Sequence, residues 1–197
     1  VEVHQNSVTS SDLTFDMELL ANSAPVGLIS FGDTWKYLDN DSRPANWHTT
    51  GYNDAAWGSG ASELGYGDAP ATVVSYGPDA NNKYITTYFR KTFNITGLNA
   101  INGLTLNVVR DDGIVVYVNG NEVARDNMPA GTPAHATFAS SAISGTGETT
   151  PITFSLSKCA FLEGANTIAV EMHQSDLASS DLSFNLELVA STGGGTP

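Results

Sequence analysis

The sequence lacks several things, and each absence narrows what the chain can be. It holds one cysteine, Cys159, in 197 residues, so no internal disulfide can form and stability must come from a packed core. The setting SLSKCAFLEG reads Cys159 as a small packed hydrophobe rather than a reactive thiol. Positive charge is scarce: Lys and Arg total 8 against 21 Asp and Glu, a formal charge of −13. That balance argues against nucleic acid, which rewards basic stripes, and against anionic membrane surfaces. No stretch of about 18 apolar residues occurs, so no segment reads as a membrane-spanning helix. GxSxG, HExxH, P-loop and paired CxxC motifs are absent, and the chain is read as a non-enzyme. Long helical periodicity is missing too.

Strands separated by turn residues fill the space. LSFNLEL places Leu182, Phe184, Leu186 and Leu188 on one face and Ser183, Asn185 and Glu187 on the other. TIAVEMHQ sets Ile168, Val170 and Met172 opposite Glu171 and His173. This period of two marks half-buried strands. LTLNVVRDDGIVVYVNGNEVARD holds at least three more, with Asp112-Gly113 and Asn119-Gly120 as hairpin signals because such turns need positive φ. KYITTYFRKTFNI and ITFSLSKCAF each read as a further strand. Residues 39–82 read as loop, with a short helical turn near YNDAAW capped by Asn53 or Asp54. The expectation is an all-β jelly-roll sandwich of one domain.

The two ends of the chain repeat each other. VEVHQNSVTSSDLTFDMELL at the N-terminus aligns without a gap with VEMHQSDLASSDLSFNLELV from Val170, at an offset of 169 residues. Twelve of the 22 positions from Val1 to Asn22 are identical. Self-similarity of this kind marks a repeat array. Residues 1–22 then read as a β-hairpin that is the tail of one repeat, residues 23–190 as the next repeat, and 191–197 as a Gly-rich linker. On this hairpin Leu13, Phe15, Met17 and Leu19 form an apolar face, with Val1 and Val3 on its first strand. A lone hairpin is unstable in water. Burying that face is worth roughly 6–12 kcal/mol as an upper estimate. The hairpin would lie on the flank of this module, complete a neighbouring copy by strand exchange, or belong to a preceding repeat.

TWKYLDND, ANWHTTGYNDAAWGSGASELGYGD, YITTYFRKTFNI, LNVVRDDGIVVYVNGNEVARDNMP and NTIAVEMHQSDLASSDLSFNLEL, in that order, resemble the galactose-binding-domain-like jelly-roll modules of large secreted bacterial repeat proteins. The sugar-binding domains of β-galactosidases show a related pattern. The resemblance covers about residues 28–190. It implies a non-catalytic β-sandwich, usually an appended module. Such modules often bind glycans, often carry a structural calcium, and sometimes do neither.

Candidate residues follow. Asp39, Asn40 and Asp41 in LDNDS could supply calcium with several of its six to eight oxygens, or simply form an Asx turn. Trp47, His48, Trp57, Tyr66 and Asp68 offer the aromatic faces and polar groups of a glycan site, although the Trp residues also suit loop anchors. Asp111 and Asp112 are adjacent, so a strand would point them to opposite faces. Glycoside hydrolysis needs carboxylates facing each other across a bond, and the turn before Gly113 is the plainer role. His173, Gln174, Ser179, Ser180 and Asp181, repeated as His4, Gln5, Ser10, Ser11 and Asp12, read as structural, with the Ser and Asp residues shaping a turn. The leading expectation is an extracellular structural repeat that assembles head to tail with copies of itself, or with adjacent repeats, into a surface protein or filament. The alternative is a carbohydrate-binding module for polysaccharide, including an accessory domain of a secreted hydrolase.

Overall fold

The computed structural model describes residues 24–192, together with Glu2, His4 and Thr9. The hairpin residues Val1, Val3, Leu13, Phe15, Met17 and Leu19, and the linker beyond Thr192, lie outside the described residues. Among the described residues twelve strands follow one another: β1 Val26–Ile29, β2 Thr34–Leu38, β3 Gly58–Ala61, β4 Leu64–Tyr66, β5 Thr72–Val73, β6 Thr86–Ile95, β7 Ile101–Asp111, β8 Gly113–Val118, β9 Asn121–Asp126, β10 Ile152–Leu156, β11 Gly164–His173 and β12 Leu182–Thr192. A single-turn helix, α1, covers Thr146–Thr149. No helix among the described residues is long and apolar enough to cross a membrane.

The strands form two six-stranded sheets. The first runs β10-β7-β12-β4-β5, with β1 also on β12; the second runs β3-β2-β6-β11-β8-β9. All pairings are antiparallel except β4 with β5. The all-β sandwich expected from the sequence is the fold observed. Its core lies where the sheets face each other. Phe89 of β6 stacks on Phe184 of β12 at 4.3 Å, and Trp35 of β2 meets the same ring edge-on at 5.0 Å. Leu106, Val108, Leu186 and Leu188 on one sheet face Ile114, Val116, Ile168 and Val170 on the other, all fully buried.

Alternation predicts one buried face per strand, yet β8 is buried at every position. The outer face of the second sheet is covered as well. Trp47, Trp57, Tyr88, Val115, Tyr117 and Ala169 form a second apolar cluster beneath the loop that joins β2 to β3. Both faces of β8 are therefore dry, and its run of Ile, Val and Tyr serves two layers.

Several local expectations change. The Asn119-Gly120 hairpin between β8 and β9 is present, with φ of 50° and 88°, the left-handed pair that a tight hairpin needs. Asp112-Gly113 is not a hairpin: β7 belongs to the first sheet and β8 to the second, so the chain crosses between layers there. The chain also crosses between layers from β11 to β12, which are central strands of opposite sheets. The ITFSLSKCAF strand ends at Leu156, and Lys158–Ala160 form a 3₁₀ turn. Cys159 sits on that turn and is exposed, not packed. At YNDAAW the chain makes a turn, in which Ala55 N donates to Asn53 Oδ1 at 3.0 Å. Ser191 and Thr192, expected in the linker, continue β12.

Candidate functional site at the long-loop end of the sandwich

The two ends of the sandwich are built differently. At one end the strands are joined by short connections: residues 96–100, 119–120 and 157–163. At the other end, where β2, β7, β9 and β11 finish and β6, β8, β10 and β12 begin, lie residues 39–57, 74–85, 127–151 and 174–181. Long loops on a rigid scaffold are where binding residues concentrate.

The loop at 39–57 is fastened by Arg90 of β6. Its Nε donates to Asp54 Oδ2 at 2.9 Å, and its Nη1 donates to the carbonyls of Trp47 and, at 3.1 Å, Thr49. Its guanidinium lies over the Tyr52 ring at 5.2 Å. Under this clamp Trp47 is 1% exposed and Trp57 6%. Tyr66, on β4 in the other sheet, is 4% exposed. These three rings are core and anchor residues and offer no stacking face to a sugar, because their faces are already covered by protein. His48 is half-buried, against the rings of Trp47 and Tyr117. Burial, followed by the Arg43 charge, holds its pKa below the ordinary imidazole value. Asp68 alone of the five is exposed.

Beneath the same loop lies Glu171 of β11, fully buried. Tyr117 Oη donates to its Oε1 at 2.6 Å, and Arg43 Nη2 and His173 Nε2 each lie 3.5 Å from its Oε2. His173 donates through Nδ1 to the Thr137 carbonyl at 2.7 Å, which leaves Nε2 facing Glu171. Sequence alternation placed Glu171 and His173 on the outward face, and that holds. The loop layer then covers them.

Beside this network opens a cleft of about 410 Å³, lined by Asp41, Asp79, Asn82, Lys83, Tyr84 and His135 among others. His135 is set by three contacts: Nε2 to Asp41 Oδ1 at 3.0 Å, Nδ1 to Tyr88 Oη at 2.8 Å, and its ring stacked on Tyr88 at 5.8 Å. Lys83 is drawn inward, donating to the Ala80 carbonyl at 2.6 Å and lying over the Tyr76 ring at 5.5 Å. The cleft combines a partly open tyrosine ring with carboxylate, amide and imidazole groups, the mixture that recognises hydroxyl-rich ligands. His135, Lys83 and Tyr84 were missed in the sequence. They come from two segments with no shared motif.

Asp39, Asn40 and Asp41 do not converge. Asp39 Oδ2 accepts from Ser75 N at 2.6 Å, Asn40 Oδ1 from Ser42 Oγ at 2.6 Å, and Asp41 faces His135. A different acidic group does. The carboxylate oxygens of Asp68, Glu148 and Asp181 lie within 4.8 Å of one another. Asp68 follows β4 and Asp181 precedes β12, and the pairing of Tyr66 with Leu182 brings them side by side. Gly67 permits this approach: its φ is +98°, and a Cβ there would fall 2.5 Å from Asp181 Cβ. Glu148 comes from α1, where its Oε1 accepts from Gly145 N at 3.0 Å. Arg110 holds α1 by donating to the Gly147 carbonyl at 3.3 Å.

Asp111 and Asp112, where β7 gives way to β8, have separate fates. Asp112 accepts from two loop amides, Ile143 N at 2.7 Å and Ser175 N at 2.8 Å. Asp111 is 2% exposed, and its Oδ1 has no hydrogen-bond partner. Burial, then Asp112, then the charges of Asp181 and Glu148 push its pKa up to about 9. No carboxylate pair at this position faces another across an open cleft.

No protein-family model matches the sequence, and no curated protein sequence is similar to it. Solved structures are. A β-glycosidase from Bacteroides vulgatus superposes on 86% of this chain with a TM-score of 0.53 and 17% identity, over 20% of its own length. A calcium-binding mutant of Bacteroides uniformis β-glucuronidase 2 superposes on 85% of this chain with a TM-score of 0.54 and 15% identity, over 18% of its own length. A β-glucuronidase from glycoside hydrolase family 2 matches 88% of the chain with a TM-score of 0.52 and 15% identity, over 18% of its length. The chain thus spans a fifth or less of each of these proteins, and at such identities the likeness is one of fold, an all-β sandwich.

Proposed function

We propose that this chain is a non-catalytic accessory domain of an extracellular glycan-active protein, and that it meets polysaccharide through the cleft at its long-loop end. The cleft carries this reading. Asp41, Asp79 and Asn82 present hydrogen-bonding groups for sugar hydroxyls beside the ring of Tyr84, and Tyr88 and Asp41 hold His135 in place. Likeness of fold to a minor portion of glycosidase chains supports the accessory role. The test is retention of the chain on a panel of plant and microbial polysaccharides by affinity electrophoresis. Tyr84→Ala and Asn82→Ala should each weaken retention at least tenfold while leaving the thermal midpoint within about 2 °C, since neither residue belongs to the core. Absence of retention across the panel would sink the reading.

The duplicated ends favour a second role, as one module of a repeating structural protein that associates head to tail. Glu171, His173 and Gln174 are fully buried, and each hydrogen-bonds within this module. Glu2, His4 and Gln5 repeat them. A surface hairpin has no use for such residues, whereas a central strand of another copy needs all three. Light scattering of the intact chain and of one lacking residues 1–22 separates the cases. Assembly that vanishes on truncation supports association through this segment.

A further inference from the structure

We propose, resting on the glycan reading of the cleft above, that the pocket at Arg43 is a second, adjoining subsite, and that it takes the carboxylate of an isolated uronic acid residue on an otherwise neutral polysaccharide. The pocket has a volume of about 260 Å³ and is lined by Arg43, Asn46, Trp47, His48 and Thr132 among others. It is built on the same two loops as the cleft. Asp41 and His135 line the cleft and meet at 3.0 Å. Arg43 is two residues further along the first loop, and Thr132 three residues back along the second. Two residues of chain reach at most roughly 7 Å. Cleft and pocket therefore adjoin, at a spacing comparable with one sugar residue.

The two hollows differ in chemistry. The cleft carries the carboxylates of Asp41 and Asp79 against one buried cation, Lys83. No lining residue of the pocket is acidic, in a chain with 21 Asp and Glu against 8 Lys and Arg. The pocket is instead rich in donors. A guanidinium has five N–H groups and accepts nothing, an indole donates only, and the Asn46 amide and Thr132 hydroxyl can donate too. Arg43 meets buried Glu171 through Nη2 at 3.5 Å, and its charge bears on the Tyr88 phenol. Two such groups cannot use five donors. Trp47 Nε1 and His48 Nδ1 are buried with no hydrogen-bond partner, and Trp47 is 1% exposed. What these residues lack is an acceptor. An ionised carboxylate only accepts, and it matches the guanidinium fork with two parallel bonds.

The charge balance limits the ligand to few acids. His48, held below the ordinary imidazole value by burial and by Arg43, is neutral at pH 7. The positive charge of the pocket is thus that of Arg43 alone. The cleft carboxylates and the overall charge of −13 oppose a polymer with an acid on every residue. A neutral chain with spaced uronic acids meets both demands, giving hydroxyls to the cleft and one carboxylate to Arg43.

Biolayer interferometry of the full chain, in about 0.15 M salt, tests this on glucuronoxylan and gum arabic, each beside its carboxyl-reduced form, and on polygalacturonate. At least one acid-bearing form should bind about tenfold tighter than its reduced counterpart, the worth of one charge-assisted contact. Polygalacturonate should bind no tighter than the reduced forms. Arg43→Gln should erase the difference between acid and reduced forms. Because Arg43 also faces Glu171, circular dichroism must show that this variant folds. Arg43→Lys, which keeps the charge and loses the fork, should lose most of the preference as well. Tyr84→Ala in the cleft should weaken both forms alike and leave their ratio unchanged. Equal binding of acid and reduced forms by the wild type overturns the second subsite and leaves the cleft reading standing. Preference that survives in both Arg43 variants, or tightest binding to polygalacturonate, also overturns it. Absence of binding to every probe overturns the subsite and counts against the cleft together with it.

Discussion

The short-turn end and the long-loop end of this sandwich handle buried polar groups in opposite ways. At the short-turn end the groups are paired. Asn166 accepts from Leu162 N at 2.9 Å and from Asn119 Nδ2 at 2.8 Å, and donates to the carbonyls of Leu162 and Gly164. Asn119 in turn accepts from Thr167 N at 3.0 Å and donates to the Ala160 carbonyl. Glu163 caps the amides of Gly97 and Leu98 at 2.9 and 2.7 Å. At the long-loop end Asp111 Oδ1, Gln174 Oε1 and Ser175 Oγ are buried with no hydrogen bond. One end closes a fold. The other leaves these buried atoms without a protein partner.

Substitutions break the contrast in order of size. Arg90→Ala should be the most damaging, because it strands Asp54 and three loop carbonyls. A loss of about 3–5 kcal/mol in urea unfolding is expected, together with new protease sensitivity in residues 39–57. Asn166→Ala at the opposite end should cost about 2–3 kcal/mol by removing the partners of the Leu162 amide and of two carbonyls. It should leave glycan retention untouched.

The two ends also contain carboxylates with opposite pH behaviour. Asp111 has a folded pKa raised to about 9, against about 3.9 unfolded. Between those values the folded state binds the extra proton, so its contribution to stability falls as pH rises from about 4 towards 9. Asp111→Asn should flatten that decline and stabilise the protein at pH 8. Urea midpoints measured across the range check the sign. Glu163 is the reverse case and the smallest effect. Its two backbone amides hold its pKa below the usual carboxylate value. Its contribution is present above the unfolded value of about 4.3 and lost as pH falls through the folded one. Glu163→Gln should therefore lower stability slightly at pH 7, less so at high salt, and leave acid behaviour below that range unchanged.

Much of the fold was legible because strand periodicity and turn chemistry are local. The strands β6 to β9, β11 and β12, and the Asn119-Gly120 turn, follow from alternation and from the need for positive φ. What alternation cannot convey is the partner of a strand. Asp112-Gly113 looks like a hairpin and is a crossing between sheets, as is the link from β11 to β12. The same limit applied to the aromatics. Trp47 and Trp57 have the composition of a sugar platform, and only the Arg90 clamp turns them into anchors. For the acidic site, LDNDS drew attention because its residues are adjacent. The group that converges is spread over more than a hundred residues, from Asp68 to Asp181. The repeat of Asp181 as Asp12 was its one visible trace.

By itself, then, the sequence determined that this is an acidic all-β sandwich with one segment duplicated at its ends, since period, turn and self-similarity are properties of neighbours along the chain. The tertiary structure decided which faces are dry, which end carries the cleft, and which carboxylates meet. Those depend on contacts between residues far apart in the chain, where burial, rather than spacing, sets the chemistry of each group.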